Sequence, residues 1–176
     1  MNKFLICIAC FLFLAGSSCE KEEPKPPVNP IPADYTSWNQ PAGHPLEYPI
    51  PGHGKSRRII FANKVALQAK IQKDENNNDA VNFPDGSIIV KEVYQQNNDG
   101  TFKTDPQLTV MVKDRNNKDA QKGWLFYVKN PGNEPPTLIK NLTCIGCHEA
   151  ANENHPYFDN NLKSIFRDYV FINIAK

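Results

Sequence analysis

With 176 residues, the chain is long enough for one domain with a substantial core. Its formal net charge is +1, which removes the electrostatic case for nucleic acid or a strongly acidic partner. Stretches rich in Asn, Pro and Gly mark many loops.

Residues 1–18 read as an export signal rather than as fold. Asn2-Lys3 is a short positive start, and the apolar run 4–15 is too short to span a bilayer. Ala15-Gly16-Ser17-Ser18-Cys19 resembles a bacterial lipobox, with Gly16 where Leu or Val is usual. Cleavage before Cys19 leaves that thiol to carry a lipid, and makes the chain an outer-membrane lipoprotein facing the periplasm or the cell surface. An ordinary secretory signal cut nearby is the alternative. The segment 19–33 is charged and Pro-rich (EKEEPKPPVNPIP over 20–32), an extended tether. Lys21-Glu22-Glu23 resembles a surface-export tag of some bacterial lipoproteins, or is simply a charged linker.

Residues 34–176 make up the domain. The stretch 34–55 carries Tyr35, Trp38, His44 and His53 among Pro and Gly, and reads as an irregular arm packed by its aromatics. Residues 57–62 (RRIIFA) form a strand. Residues 64–72 space Val65, Leu67, Ala69 and Ile71 by two, but their Ala, Leu, Gln and Lys content favours helix, which is the expectation. A polar loop follows at 74–79. Phe83-Pro84-Asp85-Gly86 is a turn that feeds a strand at 87–94 (SIIVKEVY). Asn97-Asn98-Asp99-Gly100 is a hairpin turn. Strands at 108–113 and 124–129 flank a polar loop at 116–122. This pattern predicts a mainly β (α+β) fold, an antiparallel sheet or sandwich with short helices. Beyond Pro135-Pro136, Asn141 or Thr143 is placed to cap a short helix running through residue 151. Residues 162–169 are expected to add a helical turn before the apolar run 170–174.

That capped helix carries Cys144-Ile145-Gly146-Cys147-His148, the C-x-x-C-H attachment signature for a c-type haem. Each thiol can add to one vinyl group, and the adjacent imidazole can ligate the iron. A zinc site needs about four ligands, and the mature chain offers no second cysteine pair. A redox dithiol wants a βαβ context, which is not visible. Cys7 and Cys10 leave with the signal and Cys19 takes the lipid, so no thiol remains for a disulfide.

Alternation in SIIVKEVY puts Ile89, Lys91 and Val93 on one face and Ile88, Val90, Glu92 and Tyr94 on the other. Lys91 is therefore flanked by apolar residues. A snorkelling or edge-strand lysine is one explanation. An amine turned into the haem pocket is the other.

Phe83-Pro84-Asp85-Gly86, Val90-Lys91-Glu92, Val112-Lys113-Asp114, Trp124 with Phe126 and Tyr127, Cys144-x-x-Cys147-His148 and Asp168-x-Val170-Phe171 together resemble the cytochrome P-460 family. The resemblance implies a mainly β, commonly dimeric haem c protein with His148 proximal and an open distal face. It implies oxidation of hydroxylamine, or nitric oxide binding. In the family's enzymes a lysine is cross-linked to a porphyrin meso carbon, and Lys91 matches it. Their distal glutamate is replaced here by Thr109, which cannot accept a proton at neutral pH. Glu92, on the opposite face, is a poor substitute.

Three functions stay open. The first is hydroxylamine or nitric oxide oxidoreduction with a redox partner cytochrome. The second is reversible nitric oxide or carbon monoxide binding, as in related cytochrome c′-beta proteins. The third is lipid-anchored electron transfer. His44, His53 and His155 are lone loop histidines that could supply a sixth ligand, although solvated or structural roles are commoner. Met111 shares a face with Thr109 and reads best as core filler. Trp124, Phe126 and Tyr127 read as core and pocket walls. Arg57 and Arg58 could meet haem propionates or lie on the surface.

Overall fold

The computed structural model describes residues 29–50, 53–132, 134–154 and 161–171. The export segment, Cys19, most of the tether, His155 and the end of the apolar run lie outside them. Among the described residues, no helix is long and apolar enough to cross a membrane.

In chain order the strands are β1 (Ser56–Ala62), β2 (Lys70–Lys73), β3 (Asp79–Asn82), β4 (Ile88–Gln95), β5 (Gln107–Lys113), β6 (Trp124–Lys129) and β7 (Thr137–Leu138). The helix α1 (Thr143–His148) follows. One antiparallel sheet has the order β1-β4-β5-β6-β7, and β2 pairs with β3 in a separate hairpin. The fold is therefore mainly β with a haem-motif helix near its end, as the alternation and turn chemistry predict. β4 lies inside the sheet, so the edge-strand explanation of Lys91 falls.

Because both faces of the central strands are apolar, the sheet needs cover on both sides. One face shows the rows Ala62–Ile89–Met111–Phe126 and Ile60–Lys91–Thr109–Val128. Its buried cluster takes in Ala66, Ala69, Val81 and Phe83 from the excursion before β4, and Ile145 of α1. The other face buries Phe61, Val90, Leu108 and Val110. There the arm closes over, with Tyr35 packing edge-to-face on Phe61 at 5.4 Å and Trp38 beside it. Glu92 points to this side, where the Tyr35 and Tyr94 hydroxyls each donate to its carboxylate at 2.8 Å.

Two expectations are corrected. Residues 64–72 do not form an α-helix: a single 3-10 turn at Ala66–Gln68 leads directly into β2. Only Lys70–Lys73 is extended, because β3, starting at Asp79 inside the expected loop, offers it a partner strand. The turn between them is built by Asp74, whose carboxylate accepts from the backbone N–H groups of Asn76 and Asn78. Residues 162–169 are not helical either. Ser164, Asp168 and Tyr169 have φ of 48°, 50° and 68°, left-handed values that break any helix.

The haem-motif helix starts where expected but ends at His148, continuing to Asn152 as a 3-10 turn. Leu142 occupies its cap position, while Asn141 Oδ1 accepts from Thr143 N at 3.2 Å.

Candidate functional site

A cavity of about 440 Å³ opens between the β1–β4–β5–β6 face, α1 and the segment around Val170 and Phe171. Its size falls in the range of small-molecule and cofactor sites. Leu46, Ile60, Ile89, Met111, Phe126 and Val170 make its wall apolar. Cys144, Cys147 and His148 all line it. So do Lys91 and Thr109, which face each other across β4 and β5. The five residues singled out from the sequence therefore meet in one space.

His148 is prepared as a ligand. Its Nδ1 lies 2.8 Å from the carbonyl oxygen of Tyr169. A carbonyl only accepts, so Nδ1 carries the proton and Nε2 keeps its lone pair. The ring is held between Phe126 and Phe171, with centroids 5.4 Å from each. Burial, with Lys91 nearby, pulls its pKa down to about 4, so the imidazole is neutral. Burial pushes the Cys144 thiol up.

Lys91 reaches across the cavity to His53, with Nζ 2.9 Å from Nε2. Burial and the Arg58 charge lower the Lys91 ammonium to about 8. Burial and the Lys91 charge lower His53 to about 3. At neutral pH the amine therefore donates and the neutral ring accepts. No aspartate or glutamate is among the described residues lining the cavity, so His53 is the acceptor that remains once His148 and the two thiols are committed to a haem.

Parity separates the two arginines. Arg57 stacks over Tyr94 and Phe102 on the far face. Arg58 lines the cavity, stacks on Tyr48 and donates to the carbonyls of Leu46 and Tyr48. Its Nη1 is buried with no partner among the described residues. A haem propionate would supply the missing acceptor. The donor set fits a haem: two thiols, a neutral imidazole with its tautomer held, apolar walls and an unsatisfied guanidinium. A zinc reading has no support, since no group of three or more metal-ligating side chains is gathered among the described residues.

Met111 is core and cavity wall at once. Phe126 and Tyr127 also line the cavity, Tyr127 packing against the far-face cluster as well, and Trp124 is wholly buried core. His44 is not among the lining residues. Sequence reasoning gave His53 no special weight, because 38 residues separate it from Lys91 and it lies on an irregular arm. Arg58 was detectable, since it shares a strand face with Ile60 and Ala62.

A family model described as Cytochrome P460 matches residues 32–172, from the aromatic arm to the far side of the cavity. No curated protein matches the chain.

Proposed function

Because this chain belongs to the cytochrome P460 family, and is by that membership a haem protein, we propose that it is a haem c redox protein acting on hydroxylamine or nitric oxide at a five-coordinate iron. When bound, the group would supply a redox-active iron able to take a small ligand. Cys144 and Cys147 would hold the macrocycle covalently, and His148 Nε2 would ligate the iron. The observation that carries this reading is Lys91. Its amine, on an internal strand, faces the same cavity as the C-x-x-C-H helix. That position supports Lys91 as the residue for the macrocycle cross-link that the family's enzymes make.

Thr109, opposite Lys91, offers a neutral hydroxyl that can orient a small polar ligand but not take its proton. With the Lys91 amine taken up by the cross-link, the His53 Nε2 lone pair is free to take that role, since oxidation of hydroxylamine releases protons as well as electrons. The electrons leave to an external cytochrome. We also propose that a lipid on Cys19 tethers the domain to the outer membrane, and that two copies associate.

Mass spectrometry of the digested holoprotein tests the cross-link. One haem should join the residue 144–147 peptide to the peptide holding Lys91, and Lys91→Ala should shift the reduced spectrum. Steady-state turnover of hydroxylamine with an electron acceptor tests the reaction. Tight nitric oxide binding without turnover would instead favour the ligand-binding alternative, to which Thr109 also points. A six-coordinate, low-spin spectrum would remove the open iron.

A further inference from the structure

Asp168 and Tyr169 are consecutive non-glycine residues in the left-handed region, with φ of 50° and 68°. L-residues adopt that region at a cost, and two in succession persist only where their surroundings over-determine them. Here the surroundings do so. Asp168 Oδ1 accepts from Lys113 Nζ at 2.7 Å in an ion pair whose side chains are only 3% and 4% exposed. Asp168 Oδ2 accepts from the Phe83 N–H at 3.0 Å. The Asp168 carbonyl accepts from Trp124 Nε1 at 2.8 Å. From the other side, Asn152 Oδ1 accepts from the N–H groups of Arg167 and Tyr169 at 2.7 Å and 3.3 Å. What this conformation delivers is the Tyr169 carbonyl, 2.8 Å from His148 Nδ1.

A buried ion pair is a poor source of stability, because desolvating both charges offsets their attraction. It is well suited to holding one geometry. We propose that Asp168 is a positioning residue: the Lys113–Asp168 pair clamps a left-handed turn whose Tyr169 carbonyl fixes the tautomer and ring angle of the proximal histidine, and so sets the strength of the iron–histidine bond. This rests on His148 ligating the iron, as proposed above. Fragments scattered from Phe83 to Asp168 meet at this one clamp. A partner on the far nitrogen of a ligating imidazole raises its basicity. Loosening the turn weakens that partner and makes the ligand a poorer donor.

Resonance Raman spectra of the reduced holoprotein, with its reduction potential, test this. Asp168→Asn keeps the size and an acceptor oxygen but removes the charge that holds Lys113. It should move the iron–histidine stretch to lower frequency and raise the potential. Trp124→Phe, which releases the Asp168 carbonyl, should shift both the same way by less, and carries the test if the first variant does not accumulate. Tyr35→Phe, which removes a hydroxyl bond to Glu92 on the far face of the sheet, should leave the stretch in place. A stretch unmoved in both Asp168→Asn and Trp124→Phe, even with reduced thermal stability, overturns the proposal. So does a stretch that moves equally in Tyr35→Phe. Absence of any iron–histidine band in the parent protein defeats the ligation premise itself, a separate failure.

Discussion

At the scale of single residues, the cavity is a case of chemistry assembled from groups that are inert elsewhere. Lys91 and His53 each lie well below their ordinary pKa because the cavity strips them of water and each faces positive charge. Before any cross-link forms, the pair therefore holds its proton on the amine and leaves the imidazole neutral. For a proton acceptor this sign matters. A base works in its unprotonated form, and a folded value of about 3 keeps His53 in that form far below the ordinary 6.5. Turnover of hydroxylamine should show no acid limb near 6.5 in kcat/KM, and such a limb would argue against His53. His53→Gln should lower kcat/KM by roughly 10²- to 10⁴-fold, the usual share of a positioned general base, while nitric oxide binding changes little. Equal turnover in parent and variant would return Thr109 and Lys91 to the centre of the question.

At the scale of elements, local propensity and tertiary pairing compete, and pairing wins wherever a partner strand is available. Residues 64–72 contain good helix formers, yet only one 3-10 turn forms before β2. Asn63 shows how the excursion is pinned to the sheet. Its Oδ1 accepts from the N–H groups of Ala66 and Ile88, and its Nδ2 donates to the Gly86 carbonyl. Asn63→Ala strands two donors at the root of β4. It should cost about 1–3 kcal/mol in denaturant unfolding of the holoprotein, and an unchanged midpoint would show that water replaces these bonds freely. The turn at 168–169 goes the other way, since Asp168 tolerates left-handed backbone but Tyr169 does not favour it. Its conformation is imposed by partners drawn from β5, β6, the Phe83 turn and the 3-10 turn after α1.

At the scale of the whole molecule, one sheet separates two environments. Its far face is closed by the arm, and its near face is given to the cavity. Keeping two neutral histidines in that cavity has a consequence for stability. Burial lowers His53 to about 3 and, before any iron ligates it, His148 to about 4, against 6.5 in an open chain. Between those values the unfolded chain binds more protons, so stability is present above 6.5 and is lost as pH falls through this window. Where Lys91 is not cross-linked it acts in a second window: lowered from 10.5 to about 8, it makes stability rise as pH climbs between them. The thermal midpoint of the holoprotein should therefore fall between about pH 7 and about pH 5, while exposed carboxylates are still ionised. A flat midpoint across that range would mean that both histidines titrate normally.

Three things were already determined by the sequence alone. Turn residues and period-two alternation set a mainly antiparallel β fold. The spacing of Cys144, Cys147 and His148 specified where a haem would be held. Alternation turned Lys91 away from Glu92. All are local, since each depends on residues within a few positions of one another along the chain. What only the tertiary structure decided depends on strand register and on contacts between distant segments. Register set Thr109 opposite Lys91. An arm without regular structure carried His53 to the Lys91 amine. The Lys113–Asp168 pair, 55 positions apart, held a turn that residue types alone disfavour and aimed the Tyr169 carbonyl at His148. Such contacts form only when the whole sheet has closed, because chain spacing carries no information about which buried charge will find which partner.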